Sequence, residues 1–299
     1  MAASESTLHL AIPKGRMYQS VVDLLAEAGI RLRHGSRGYR PKVSLAGVEA
    51  KLLKPQNIVE MLAVGTRDLG FAGEDWVREK KLDLVQVMDT GLDPVRIVVA
   101  APKALLVDGK LPDASPYGGP LRVASELESL TQGWIDTKRP GARFVRTYGA
   151  TEVFPPEDAD IIVDVTQTGA TLEANDLVII DEIMSSATRL FASRPAMDDP
   201  AKRARIEDIS TLLESVLAGR QRVMLEVNVA PEQLQGVVDA LPAMRQPTIS
   251  QLHGKADGVI VGYAVKAAVL RTALPELIPQ LKLAGGADIV VSPLSQVVP

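Results

Sequence analysis

Cysteine is absent from the 299 residues, which removes disulfides, thiolate metal sites and cysteine nucleophiles together. Aromatic residues make up only 4% of the chain while hydrophobic residues reach 46%, so the cores must be aliphatic. No apolar run approaches the roughly 18 residues that a membrane helix needs. The opening residues, Met1 to Leu10, lack the basic start and apolar stretch of a signal peptide. Together these lead to the expectation of a cytoplasmic chain with no membrane partner. A basic excess is missing too. The 33 Lys and Arg face 37 Asp and Glu, for a net charge of −4, which argues against general nucleic-acid binding. Anionic small molecules stay open, because local donors hold them and net charge does not.

What is present is alternation. Leu8 to Ile12, Val48 to Leu53, Leu69 to Ala72 and Ile97 to Ala101 read as buried strands. Between them, Met17 to Ala28 and the segment after Pro55 carry apolar residues at helical spacing. This order predicts a mainly parallel, helix-covered sheet. Asp108 to Pro120, rich in Gly and Pro, marks a boundary or hinge. Beyond it come strands at Leu121 to Ala124, Phe144 to Thr147, Ala159 to Val163, Leu177 to Ile183 and Thr188 to Ala192, with a helix over Leu127 to Lys138. Asp198 to Gly219 reads as one long helix. From Arg222 onward the rhythm changes. Strands at Arg222 to Val229, Thr248 to Leu252, Gly258 to Val265 and Ala287 to Val291, with helices at Pro231 to Leu241 and Val269 to Ala284, give a ferredoxin-like β-α-β-β-α-β order.

The segment Ile161 to Leu172, IIVDVTQTGATL, carries the strongest chemical signal. An apolar strand ends at Asp164, and a short loop then offers Thr168, Gly169, Ala170 and Thr171 before a helix-like continuation. Amides entering a helix donate to phosphate oxygens. A glycine permits close approach, and threonine hydroxyls add donors. The aspartate is placed to accept from ribose hydroxyls. An ordinary strand–turn–helix connection would use the same residue types. The histidines His9, His34 and His253 are too scattered for a triad or metal site.

This segment resembles the ATP phosphoribosyltransferase family in its long form. So do Ala11 to Met17 (AIPKGRM), Asp68 to Gly73 with Asp75, Val98 to Pro102, Arg122 to Ser125, Gly149 to Glu152, Ala159 to Asn175 and Pro247 to Ser250. The resemblance implies transfer of phosphoribosyl from phosphoribosyl pyrophosphate to N1 of ATP, with Mg2+, as the first step of histidine biosynthesis. It implies an α/β fold with a two-lobed catalytic region like type II periplasmic binding proteins. Lobe I would be 1–103 and 176–219, and lobe II 104–175. A C-terminal ACT-like regulatory domain over 220–299 would bind histidine as inhibitor, in a homo-oligomer (dimer or hexamer).

Carried onto this chain, Asp164, Gln167, Thr168, Gly169, Ala170 and Thr171 match the phosphoribosyl-binding loop. Lys14, Gly15 and Arg16 match the cleft-lining turn after the first strand. Lys14 and Arg16 suit a departing pyrophosphate, and Gly15, Gly73 and Asp75 are expected on the ATP side. Asp75 is equally suited to cap the next helix, and Lys14 and Arg16 to be solvated loop charges. In the tail, Glu226, Asn228 and Thr248 are candidate effector contacts or solvent-facing strand residues. The chain departs from the family pattern at Asn57-Ile-Val59, where Asp-Ile-Pro is usual. It departs again at Asp93-Pro-Val-Arg96, where a Gly-x-Cys segment is usual. The rival readings are a two-lobed small-ligand binding protein and a non-catalytic nucleotide- and histidine-binding homologue.

Overall fold

Short β-branched runs bounded by Gly and Pro, alternating with amphipathic stretches, fold as that pattern dictates. The structure is a computed structural model and describes residues 7–33, 38–242, 246–254 and 259–298. His34 and Gly258 lie outside the described residues. The chain divides into two compact units, residues 1–23 with 30–207 and residues 24–29 with 208–299.

The larger unit begins with β1 (Leu8–Pro13), α1 (Tyr18–Glu27), the short ribbon β2 (Leu32–Arg33) and β3 (Lys42–Val43), β4 (Val48–Leu53), α2 (Pro55–Ala63), β5 (Leu69–Gly73) and α3 (Glu74–Glu79). There follow β6 (Val85–Pro102), β7 (Arg122–Ser125), α4 (Glu128–Lys138), β8 (Arg143–Arg146), β9 (Ile161–Thr166), α5 (Ala170–Ala174), β10 (Leu177–Ala192) and α6 (Arg194–Asp198). One eight-stranded sheet runs β4-β1-β5-β10-β6-β9-β7-β8. The sheet is mixed, where alternation alone predicts a mainly parallel one. Strands β4, β1 and β5 are parallel, as are β9, β7 and β8. Between these two groups β6 and β10 form an antiparallel pair.

That long pair creates the two lobes. Its first half of β6 and last half of β10 complete the β1 lobe, and the opposite halves complete the β7 lobe. Ala11, Ile58, Leu62, Ala72 and Phe191 pack the first lobe, while Ile97, Val99, Val123, Ile135 and Ile161 pack the second. Sequence pattern places only Ile97 to Ala101 in β6 and splits β10 in two. Polar interruptions cause both errors. Positive φ at Gly91 (+64) and Asp93 (+48), with several register shifts against β10, are the bulges that let the pair continue through polar sequence.

The single long helix expected over Asp198 to Gly219 forms two residues later than expected, because Asp198 ends α6 instead. Residue 199 stands before a proline and is extended, with ψ 114, which closes α6. Its carboxylate then accepts from the amides of Ala201 and Lys202 at 2.9 and 3.2 Å, capping α7 (Pro200–Gln221).

In the second unit β11 (Arg222–Val229), α8 (Leu234–Ala240), β12 (Thr248–His253), β13 (Ile260–Leu270), α9 (Leu274–Leu283) and β14 (Ala287–Pro293) give the ferredoxin-like sequence of elements. The sheet order β12-β13-β11-β14 is fully antiparallel. Val223, Leu225, Val227 and Val229 alternate inward and join Val237 of α8 and Leu277 and Leu281 of α9 in one core. The expected helix start at Val269 is wrong. Val265, Ala267 and Val269 are alternately buried in β13, and α9 begins five residues after Val269.

Candidate functional site

At the C-terminal end of β1 the backbone turns at once. The Lys14 amide donates to the Leu53 carbonyl at 2.8 Å, holding the turn against β4, and Gly15 has φ +77, which glycine adopts freely. Beside it β5 ends at Gly73, and α3 begins with Glu74 and Asp75. Gly73 is required by close approach. A Cβ there would lie 2.0 Å from Asp75 Oδ1.

Lys14, Arg16, Gly73 and Asp75 line one cavity of about 90 Å³. Thus the expected cleft-lining and ATP-side residues converge, with Gly15 in the turn that carries Lys14 and Arg16. Asp75 is 5% exposed. Ser186 Oγ of β10 lies 2.7 Å from Asp75 Oδ1 and accepts from the Asp75 amide at 3.1 Å. Burial pushes the Asp75 carboxyl above its ordinary range, opposed by the Ser186 hydrogen bond and the nearby charge of Arg16. Lys14 Nζ stacks 3.5 Å from the centre of the Tyr39 ring, a cation–π contact.

Ser20, Ser186 and Thr188 escape sequence reasoning, and Asp93 enters it only as part of a departure from the family pattern. Asp93, Ser186 and Thr188 line the same cavity, and Ser20 supports Asp93 from behind through a 2.5 Å hydrogen bond. The available signal was the polar run Ser185-Ser-Ala-Thr188 inside an otherwise strand-like segment, opposite the Asp93-Pro94 break.

The phosphoribosyl loop follows β9, which runs two residues beyond Asp164 to Thr166. Asp164 is therefore within the strand, in register with Val98, and not at its end as expected. Burial raises its carboxyl from 3.8 to about 6, against the Val165 amide, which donates to it at 2.7 Å, and with the help of the Glu152 and Glu126 charges. Gly169 has φ +89 and precedes α5. Its amide donates to Thr166 Oγ1 at 2.8 Å, and the Ala170 amide to Thr168 Oγ1 at 3.3 Å. Two loop amides are thus already engaged by threonine hydroxyls, while those of Thr168 and Thr171 have no acceptor among the described residues. Gln167, Thr168, Ala170 and Thr171 are exposed. Gln167 lines a cavity of about 410 Å³ that shares Val95, Ser186 and Ala187 with the first.

In the second unit Glu226, Lys266 and Thr248 stand in one cross-strand row, with Lys266 Nζ 2.9 Å from Glu226. Asn228, two residues along β11, faces the same side and donates to Asp288 at 3.2 Å. The three candidate effector residues share the sheet face opposite Val223 and Leu225. Among the described residues no cluster of three His, Asp or Glu side chains is arranged to hold a metal, and no helix is long and apolar enough to cross a membrane.

Residues 54–215 match the family described as ATP phosphoribosyltransferase, and 219–296 match its C-terminal domain. The chain is 36% identical over 297 residues to an ATP phosphoribosyltransferase of Pelotomaculum thermopropionicum, covering 98% of this chain and 99% of that one. It is 32% identical to another of Thermodesulfovibrio yellowstonii, covering 99% of both. Among solved structures, a chain of the ATP phosphoribosyl transferase (HisG:HisZ) complex from Thermotoga maritima superposes with a TM-score of 0.59 at 27% identity. That match covers 70% of this chain and 99% of the other. Full-length identity and both family matches lead to one conclusion: the chain belongs to the ATP phosphoribosyltransferase family.

Proposed function

We propose that this transferase moves the phosphoribosyl group of phosphoribosyl pyrophosphate to N1 of ATP, releasing pyrophosphate, as the first step of histidine biosynthesis. The observation that carries the reading is the convergence of Lys14, Arg16, Gly73 and Asp75 on one cavity from two strand ends, where α/β sheets place ligands. The adenine N1 forms a bond to C1 of the ribose as the bond from C1 to pyrophosphate breaks. Positioning and electrostatics supply most of such a reaction. Lys14 and Arg16 meet the charge that gathers on pyrophosphate, and Asp164 accepts from the ribose hydroxyls. The Gln167 to Thr171 turn takes the 5-phosphate. Because α5 has five residues, its dipole is small, so the free amides and the Thr168 and Thr171 hydroxyls do the binding. Magnesium, arriving with the substrate, would offset leaving-group charge.

Histidine is the proposed inhibitor, received on the face of Glu226, Asn228 and Thr248, whose carboxylate and amide suit an amino acid's ammonium and carboxylate groups. A homo-oligomer, dimer or hexamer, in the cytoplasm is part of the same reading. The non-catalytic alternative is favoured by one observation, the engagement of the Gly169 and Ala170 amides within the loop.

Pyrophosphate release from ATP, phosphoribosyl pyrophosphate and magnesium, followed with the ultraviolet change of the adenine product, decides between them. Turnover that is lost in Asp164→Asn and Thr171→Ala, with folding intact, supports the enzyme. Binding without turnover supports the alternative. A rate unchanged by histidine across a wide range rejects the inhibitor assignment.

A further inference from the structure

One carboxylate in the Lys14–Asp75 cavity has no part in the reaction described above. Asp93 sits within β6 at φ +48, a left-handed conformation uncommon for any residue but glycine. Its Oδ2 is held from two elements: Ser20 Oγ of α1 donates at 2.5 Å and Thr188 Oγ1 of β10 at 3.0 Å. Its Oδ1 accepts from no described residue. The residue is half-buried and lines the cavity.

A carboxylate with no cation paired to it repels phosphate, so Asp93 meets the nucleoside part of the nucleotide and not its phosphates. What a fixed carboxylate oxygen does attract is an N–H or O–H donor. ATP carries such donors only in its nucleoside part, at the 6-amino group of adenine and the 2′- and 3′-hydroxyls of ribose. The two hydroxyls on Oδ2 fix the plane of the carboxyl group, which makes the free oxygen directional.

We propose that Asp93 is a specificity-determining residue for the nucleotide: its free oxygen accepts a hydrogen bond from the adenine amine or a ribose hydroxyl, and nucleotides lacking that donor are rejected. This rests on the reading of the cavity as the ATP site. A site built around a hydrogen bond discriminates strongly, because losing the donor leaves a desolvated acceptor without a partner.

The test measures affinities of the full chain for ATP, 2′-deoxy-ATP, 3′-deoxy-ATP and ITP, whose 6-oxo ring lacks the amine, by titration calorimetry. Turnover with ATP is recorded alongside. Parent protein is compared with Asp93→Gly, which suits the left-handed backbone, and with Asp93→Asn, which keeps a neutral acceptor. The parent is expected to favour ATP over one analogue class by roughly 10- to 100-fold, shrinking to within about threefold in Asp93→Gly and partway in Asp93→Asn. Discrimination confined to ITP assigns the amine, and discrimination confined to a deoxy analogue assigns the hydroxyl. Equal ratios in parent and Asp93→Gly overturn the proposal. Absent turnover in the parent overturns the transferase reading alone, because the affinity ratios are still read. Should either variant misfold, the other decides.

Discussion

Asp164 couples the phosphoribosyl loop to pH. Its carboxyl titrates near 3.8 when unfolded and at about 6 in the fold, chiefly through burial. The folded pKa is raised, so its contribution to stability is fully present below pH 3.8 and is lost as pH rises through about 6. Urea unfolding should therefore show Asp164→Asn more stable than the parent by on the order of 1–3 kcal/mol at pH 8, with the difference vanishing near pH 3.5. Function runs the other way. An acceptor for ribose hydroxyls must be ionised, so kcat/KM for phosphoribosyl pyrophosphate should fall as pH drops below about 6. An acid limb that persists unchanged in Asp164→Asn would exclude this carboxyl as its source. Retaining a group that weakens the empty fold at neutral pH is a mark of a functional site.

Among elements, α3 has the most consequential position. It starts at the cavity with Asp75 and ends at Glu79, which is buried. The two carboxylate oxygens of Glu79 accept from the Ser129 and Leu130 amides at 3.1 Å each. These are orphan donors in the first turn of α4, whose own cap position, Leu127, has no side-chain acceptor. A carboxylate at a helix N-terminus also meets the favourable end of its dipole. One short helix thus joins the cavity in the β1 lobe to the first helix of the β7 lobe, and Trp76 packs against the cores of both. Glu79→Ala should cost about 1–2 kcal/mol in chemical denaturation, and Glu79→Gln, which keeps one acceptor oxygen, clearly less. Equal stability of all three proteins would show the capping bonds to be without weight.

At the scale of the whole molecule, two sheets with separate aliphatic cores predict unfolding that is not all-or-none. Scanning calorimetry should give a calorimetric enthalpy exceeding the van't Hoff value, or two resolved transitions; a single transition with matching enthalpies would contradict it. The same division explains what was legible beforehand. Periodicity alone located β1, β4, α2, β11 and the ferredoxin-like order, because each buries a regular apolar face. It failed at β6, β10 and the start of α9. In β13 the alternation of Val265, Ala267 and Val269 was short enough to pass for helix. Among the polar residues that break the apolar pattern in β6 and β10, Asp93, Ser186 and Thr188 line the cavity.

Local sequence determined the residue types at each strand end: a basic turn after β1, a glycine and two acids after β5, and a threonine- and glycine-rich turn after β9. Motif resemblance then named their chemistry. Which of them meet was decided by tertiary structure alone, since antiparallel pairing of β6 with β10 brings Asp93 to Thr188, while Ser186 of β10 meets Asp75 across 111 positions of chain. No local pattern encodes that separation. Hydrogen bonds between residues far apart in sequence exist only once the sheet has closed, and those of Asp75 and Asp93 are of that kind.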